Sequence, residues 1–202
     1  MSSDLSARLL RRTAVATAVV GFLATAVWPS ATAEKPVPRL QPIVEAVSLR
    51  LATADVVASA KWGTPSPIDD PAREIEVLDA MSRTALSAGL SAEWVQQIFR
   101  DQIEANKVVQ RSLFAMWNEA PDLAPTVRPD LSQVRPIIDE QDAAILTQLC
   151  DKKMLLTSPD CVSDLADAIA AVSVDQQLDA LHQVALARAM MSIWSPANWR
   201  EA

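Results

Sequence analysis

The residues of this chain able to do chemistry are a handful of cations and two amides, set at helical spacing. Arg50 and Lys61 are eleven residues apart, almost three whole turns, so a helix puts them on one face. Their Cα atoms then lie roughly 16 Å apart along the axis at 1.5 Å rise per residue. Two long side chains leaning toward each other leave a gap suited to a small molecule. On an outer face the same pair is two solvated cations. Arg73 and Arg135 each fall in or beside the first turn of a predicted helix. The macrodipole disfavours a cation there by about 0.3–1 kcal/mol. A bound anion reverses the sign, because free N–H groups and a guanidinium can share one carboxylate. Glu74, next to Arg73, can accept a hydrogen bond from a ligand hydroxyl.

The amides stand in a long amphipathic pattern. Phe99, Ile103, Asn106, Gln110, Leu113 and Trp117 recur at intervals of four and three, which puts Asn106 and Gln110 on the apolar stripe. A buried amide without partners costs about 1–3 kcal/mol per group. Core groups satisfy these two, or they line a polar pocket; the sequence leaves both open.

Other chemistries find little support. The single histidine, His182, has no second His or Cys at ligand spacing, so no zinc site is expected and His182 reads as a helix-surface residue. A lone His also gives little basis for a nucleophile–base triad. No GxGxxG or P-loop pattern is present. No metal and no cofactor are expected.

These side chains must be positioned by helices. One is predicted from about Pro42 to Trp62, with Ile43, Val47, Leu51, Ala54 and Ala58 in register, ended by Gly63 to Pro67. A second opens with Asp70 as N-cap and Pro71 at the first helical position, and stops at Gly89. Ser91 caps a third that reaches about Asn118, and prolines 121, 125 and 129 mark the loop after it. A fourth covers about Ser132 to Lys153; Pro136 lies inside its pattern, so the regular helix is expected to begin only there. Ser158-Pro159-Asp160 is predicted to open a short helix to about Ala171, and a last one spans about Val174 to Trp194. No strand-like alternation of useful length appears. The expected fold is all-α: one domain, a bundle of about six helices around one long central helix.

The N-terminus is built for export. Arg8, Arg11 and Arg12 precede an uncharged run from Thr13 to Trp28, and Ala31-Thr32-Ala33 offers small residues at a cleavage site. Residues 1–33 are read as a signal peptide and 34–202 as the mature domain; an uncleaved anchor is the alternative. The apolar run is short for a span, which needs roughly 20 residues. Cleavage leaves a net charge of −9, where the whole chain carries −7. So acidic a chain is a poor nucleic-acid binder and an unlikely ligand of anionic membrane surfaces. Any anion it binds must be held by a few locally placed cations. Export also means oxidising conditions, so Cys150 and Cys161 are expected to form a disulfide across their short loop, for roughly 3 kcal/mol.

The run Arg50, Lys61-Trp62, Asp70-Pro71-Ala72-Arg73-Glu74, Asn106 and Gln110 resembles the all-helical chorismate mutases. The leader and Arg135, in Asp130-Leu131-Ser132-Gln133-Val134-Arg135, resemble the secreted subclass, in which one chain supplies a whole active site. The resemblance implies that Arg50, Arg73 and Arg135 bind the two carboxylates of chorismate. It implies that Lys61 and Gln110 donate to the ether oxygen, which gains negative charge as the C–O bond breaks. Glu74 would hold the ring hydroxyl, with Asp70 and Asn106 nearby. Val77 stands where some secreted members carry a polar residue, which puts that contact in doubt. Some members carry Glu in place of Gln110. The implied reaction is an intramolecular rearrangement to prephenate, needing no nucleophile, metal or cofactor. The alternative is a non-catalytic exported module that binds a small anion or a protein partner. An exported protein ends in the periplasm or the medium; homodimerisation is left open by the sequence.

Overall fold

The apolar stripes read from the sequence become seven helices in the computed structural model, which describes residues 37–194. The predicted signal segment, residues 1–33, and residues 195–202 lie outside the described residues. Helix α1 runs Gln41–Lys61, α2 Pro71–Ser87, α3 Ala92–Glu119 and α4 Leu131–Asp151. The one-turn α5 (Lys153–Leu156), then α6 (Cys161–Asp175) and α7 (Ala180–Ala189), complete the bundle. No strand occurs among the described residues.

Local chemistry sets the boundaries that position the site. Asp70 caps α2 by accepting from the Arg73 N–H at 3.2 Å, and Pro71 occupies the first helical position. Gly89, at φ +70°, ends the helix: its N–H reaches the Leu86 carbonyl and the Leu90 N–H reaches that of Ala85. This paired closure needs a left-handed residue, which glycine supplies without a Cβ penalty. Ser91 accepts from the Trp94 N–H at 3.2 Å and caps α3, which begins at the next residue. Gly63, at φ +66°, turns the chain out of α1 in the same left-handed way.

Helix α3 is the central post. It packs against α1 and α2 on one side and α7 on another, while α1 also packs against α4 and α6. Ile43, Val47, Ala54, Ile98, Phe99, Val109, Ile145 and Leu149 are fully buried where these helices meet.

Four expectations change. Helix α4 passes through Pro136 rather than starting there, since only the Ser132 carbonyl loses its usual donor. The cap of α6 is Asp160, not Ser158, and α6 continues to Asp175. Its end comes at Gln176–Gln177, where Gln177 adopts φ 52°, and Asp179 then caps α7 through the His182 N–H. The apolar pattern runs on through this corner, so no breaker residue announces it. The expected disulfide is not formed: Cys150 and Cys161 are both free thiols. Cys161 is fully buried in the core, and burial pushes its thiol up to about 11, which suppresses the thiolate that disulfide exchange requires.

Candidate active site

A cavity of about 140 Å³ opens between α1, α2, α3, α4 and the loop before α2. Arg50 and Lys61 enter it from α1, Asp70 from the loop, Arg73, Glu74 and Val77 from α2, Asn106 and Gln110 from α3, and Arg135 from α4. All nine residues singled out in the sequence therefore line one cavity. Val57, Ile68, Ile103, Leu131 and Ile138 supply its apolar wall. The last three helices contribute no lining residue.

Arg50 is 4 % exposed, and its Nε donates to Asp142, itself 1 % exposed, on α4. The Phe99 ring centroid lies 5.9 Å from the guanidinium carbon. Lys61 is half-buried and donates to the Ile68 carbonyl at 3.1 Å, tying the loop to the end of α1. Burial lowers its pKa from the ordinary lysine value, and the charges of Asp70, Asp69 and Glu74 oppose that shift. Arg73 bonds Glu76 at 3.2 Å and Asp139 of α4 at 3.0 Å. Arg135 is exposed at the rim.

The amides are both buried and in the cavity wall, so the two readings left open by the sequence are the same reading. The Thr53 hydroxyl donates to the Arg50 carbonyl at 2.7 Å. Its oxygen accepts from Asn106 Nδ2 at 3.5 Å, and Asn106 Oδ1 accepts from Gln110 Nε2 at 2.6 Å. The polarity of this chain is fixed at its first link, because the hydroxyl has only one proton. It makes Gln110 present its amino group toward Asn106, and the second N–H of that group stays available to a ligand. Gln110 Oε1 is buried with no partner among the described residues.

Sequence reasoning missed three residues here. Lys107, 7 % exposed, bonds Glu74 at 2.8 Å, Glu104 at 2.9 Å and Asp69 at 3.2 Å. Burial pulls its pKa down, but the bonds from Glu74, Glu104 and Asp69 outweigh this and leave it raised. Lys107 thereby fixes Glu74, which also accepts from the Asp70 N–H at 3.3 Å. Asp142 was legible: it interrupts the apolar stripe of α4 between Ile138 and Leu146, and a carboxylate there demands a cation. Thr53, one turn beyond Arg50, carried no signal of its own.

The cavity thus sets three arginines around a half-buried ammonium and a neutral amide donor. Such a set can hold a small dianion and stabilise charge developing on an oxygen between Lys61 and Gln110.

Comparison with known proteins gives the same direction. The sequence pattern of the family described as Chorismate mutase type II matches residues 41–111. The chain is 36 % identical over 172 residues to the secreted chorismate mutase of Mycolicibacterium smegmatis, covering 85 % of this chain and 94 % of that protein. It is 34 % identical over 154 residues to the secreted chorismate mutase of Mycobacterium tuberculosis, covering 76 % of this chain and 77 % of that one. The crystal structure of chorismate mutase from Burkholderia phymatum superposes with a TM-score of 0.73 at 38 % identity, covering 77 % of this chain and 98 % of that one.

Proposed function

The chain belongs to the chorismate mutase family, and we propose that the cavity between its first four helices is where it turns chorismate into prephenate. The observation that carries this reading is the convergence of Arg50, Lys61, Arg73, Gln110 and Arg135, from four helices, on one small cavity. A binding module for a protein partner has no reason to aim all five inward.

Arg50, Arg73 and Arg135 hold the two carboxylates and select the compact conformer in which the reacting carbons meet. As the C–O bond breaks, the ether oxygen gains negative charge. Lys61 and the free N–H of Gln110 meet that charge, and one such fixed donor is worth about 3–4 kcal/mol. Neither has to move a proton, since a rearrangement within one molecule has no acid–base step. Glu74, held by Lys107, accepts from the ring hydroxyl, and Asp70 keeps the α2 entry in place. Val77 gives this wall an apolar surface where a polar contact would otherwise lie. The enzyme is an exported isomerase, like the relatives named secreted. We assign residues 1–33 to a cleaved signal and the site of action to the periplasm or the medium.

The test is the ultraviolet loss of chorismate with wild type, Arg50→Ala, Lys61→Ala and Gln110→Ala. Turnover by wild type with sharp losses in all three supports the assignment. Variants that fold and turn over normally would place the chemistry elsewhere.

A further inference from the structure

Arg50 is the most deeply buried of the three arginines in the cavity, and the only acid bonded to it is Asp142 among the described residues. Asp142 has three features that go beyond neutralising a charge. It comes from a different helix, α4, so the bond ties Arg50 of α1 to a second element of the fold. It takes Nε, the nitrogen nearest the backbone, and leaves the outer edge of the guanidinium for a ligand. It also sets a negative charge behind the place where a substrate carboxylate must sit. That charge weakens attraction for a dianion, so a site built on charge alone would omit it.

We propose that Asp142 is a positioning residue of this enzyme: through Nε it fixes the Arg50 guanidinium so that its terminal nitrogens meet one substrate carboxylate edge-on. The inference rests on the cavity being the chorismate site. The Phe99 ring, its centroid 5.9 Å from the guanidinium carbon, packs beside the same group. Without Asp142 the arginine keeps its charge and loses its aim. Correct aim is what holds the compact conformer, so the loss falls on turnover as well as on affinity.

The experiment measures kcat and KM for wild type, Asp142→Ala, Asp142→Asn, Arg50→Ala and the double variant Arg50→Ala/Asp142→Ala, with melting temperatures for all. Asp142→Ala is expected to lose at least tenfold in kcat/KM, with kcat reduced. Asp142→Asn loses less, because its amide oxygen still accepts from Nε. In the Arg50→Ala background the second substitution removes no further activity, since the partner it positions is gone. If Asp142→Ala does not fold, Asp142→Asn and the double variant, which removes the pair together, still decide the matter.

Three results would overturn the inference. One is a wild-type kcat/KM in both Asp142 variants, with only the melting temperature lowered. Another is a lower KM at unchanged kcat, the signature of a purely repulsive charge. The third is an equal loss in the presence and absence of Arg50. Absence of turnover by the wild type itself would instead remove the assignment of the cavity.

Discussion

Two buried carboxylates, each bonded to an arginine, show how the same pair of side chains serves different ends. Asp142, at the cavity, meets Arg50 through Nε. Asp101, on the far side of α3, is 2 % exposed and fully engaged. It accepts from Arg188 at 2.6 Å, from Gln97 at 3.4 Å and from the Ser192 hydroxyl. Gln102, one residue on, donates to the Ala189 carbonyl at 2.9 Å and satisfies the end of α7. The Trp94 indole reaches the Ser192 carbonyl at 3.0 Å. These bonds tie α7 and the residues just after it to α3. At the cavity, Arg50, Lys61 and Gln110 keep donors in reserve. The difference separates scaffold from site: the arginine away from the cavity ties α7 to α3, and the one held at Nε in the cavity wall keeps its terminal nitrogens for a ligand.

The comparison breaks first on Lys61. Lys61→Ala is expected to lower kcat at least a hundredfold, equivalent to about 3 kcal/mol of transition-state stabilisation, with little change in melting temperature. A loss of stability without loss of rate would make Lys61 part of the scaffold. Asp101→Ala should do the reverse. It leaves Arg188 and Ser192 without their acceptor and costs about 3 kcal/mol in a denaturant titration. The kcat of the remaining folded protein stays at the wild-type value, because no residue of that cluster touches the cavity.

A smaller effect sharpens the same contrast. His182, on α7, contacts Asp179 at 2.8 Å and Asp55 of α1 at 3.0 Å. It is half-buried rather than the plain surface residue expected from the sequence. Burial lowers its pKa, but Asp179 and Asp55 outweigh this and raise it above the ordinary 6.5. A group raised in the folded state stabilises fully below its unfolded pKa and loses that contribution as pH rises through the folded one. Stability should therefore fall slightly above about pH 6.5, by less than about 1 kcal/mol for so exposed a pair of acids. His182→Asn removes this dependence, and a stability curve across pH 5–9 reads it. At the cavity the smallest effect is expected. Gln110 carries no titrating proton, so kcat should stay nearly flat from about pH 5 to 8. A steep loss between those limits would mean that a titrating group serves the reaction.

The two regions also differ in how much of them could be read from the sequence. Helices α1 to α4 carry strong punctuation: Asp70-Pro71, Gly89 and Ser91 each act through local bonds, and local bonds are visible in sequence. The cavity residues were legible because helical spacing alone puts Arg50 with Lys61 and Asn106 with Gln110, and because the family resemblance joins the helices. The Thr53 relay was not legible, since it depends on the approach of α3 to α1. The corner between α6 and α7 was misplaced because its left-handed residue is Gln177 rather than a glycine. The disulfide was expected from the compartment alone, and compartment says nothing about where Cys161 points in the core. Both buried acids were signalled: each interrupts an apolar stripe, Asp101 between Ile98 and Ala105 and Asp142 between Ile138 and Leu146. Pattern announces that such an acid needs a cation; only packing decides which.

The most direct test of the cavity as the catalytic site is a crystal structure with a non-reacting bicyclic dicarboxylate ether shaped like the transition state. Its carboxylates are expected on Arg50, Arg73 and Arg135, and its ether oxygen within hydrogen-bond distance of both Lys61 Nζ and Gln110 Nε2. A ligand bound outside the first four helices, or one whose ether oxygen faces neither donor, would contradict it.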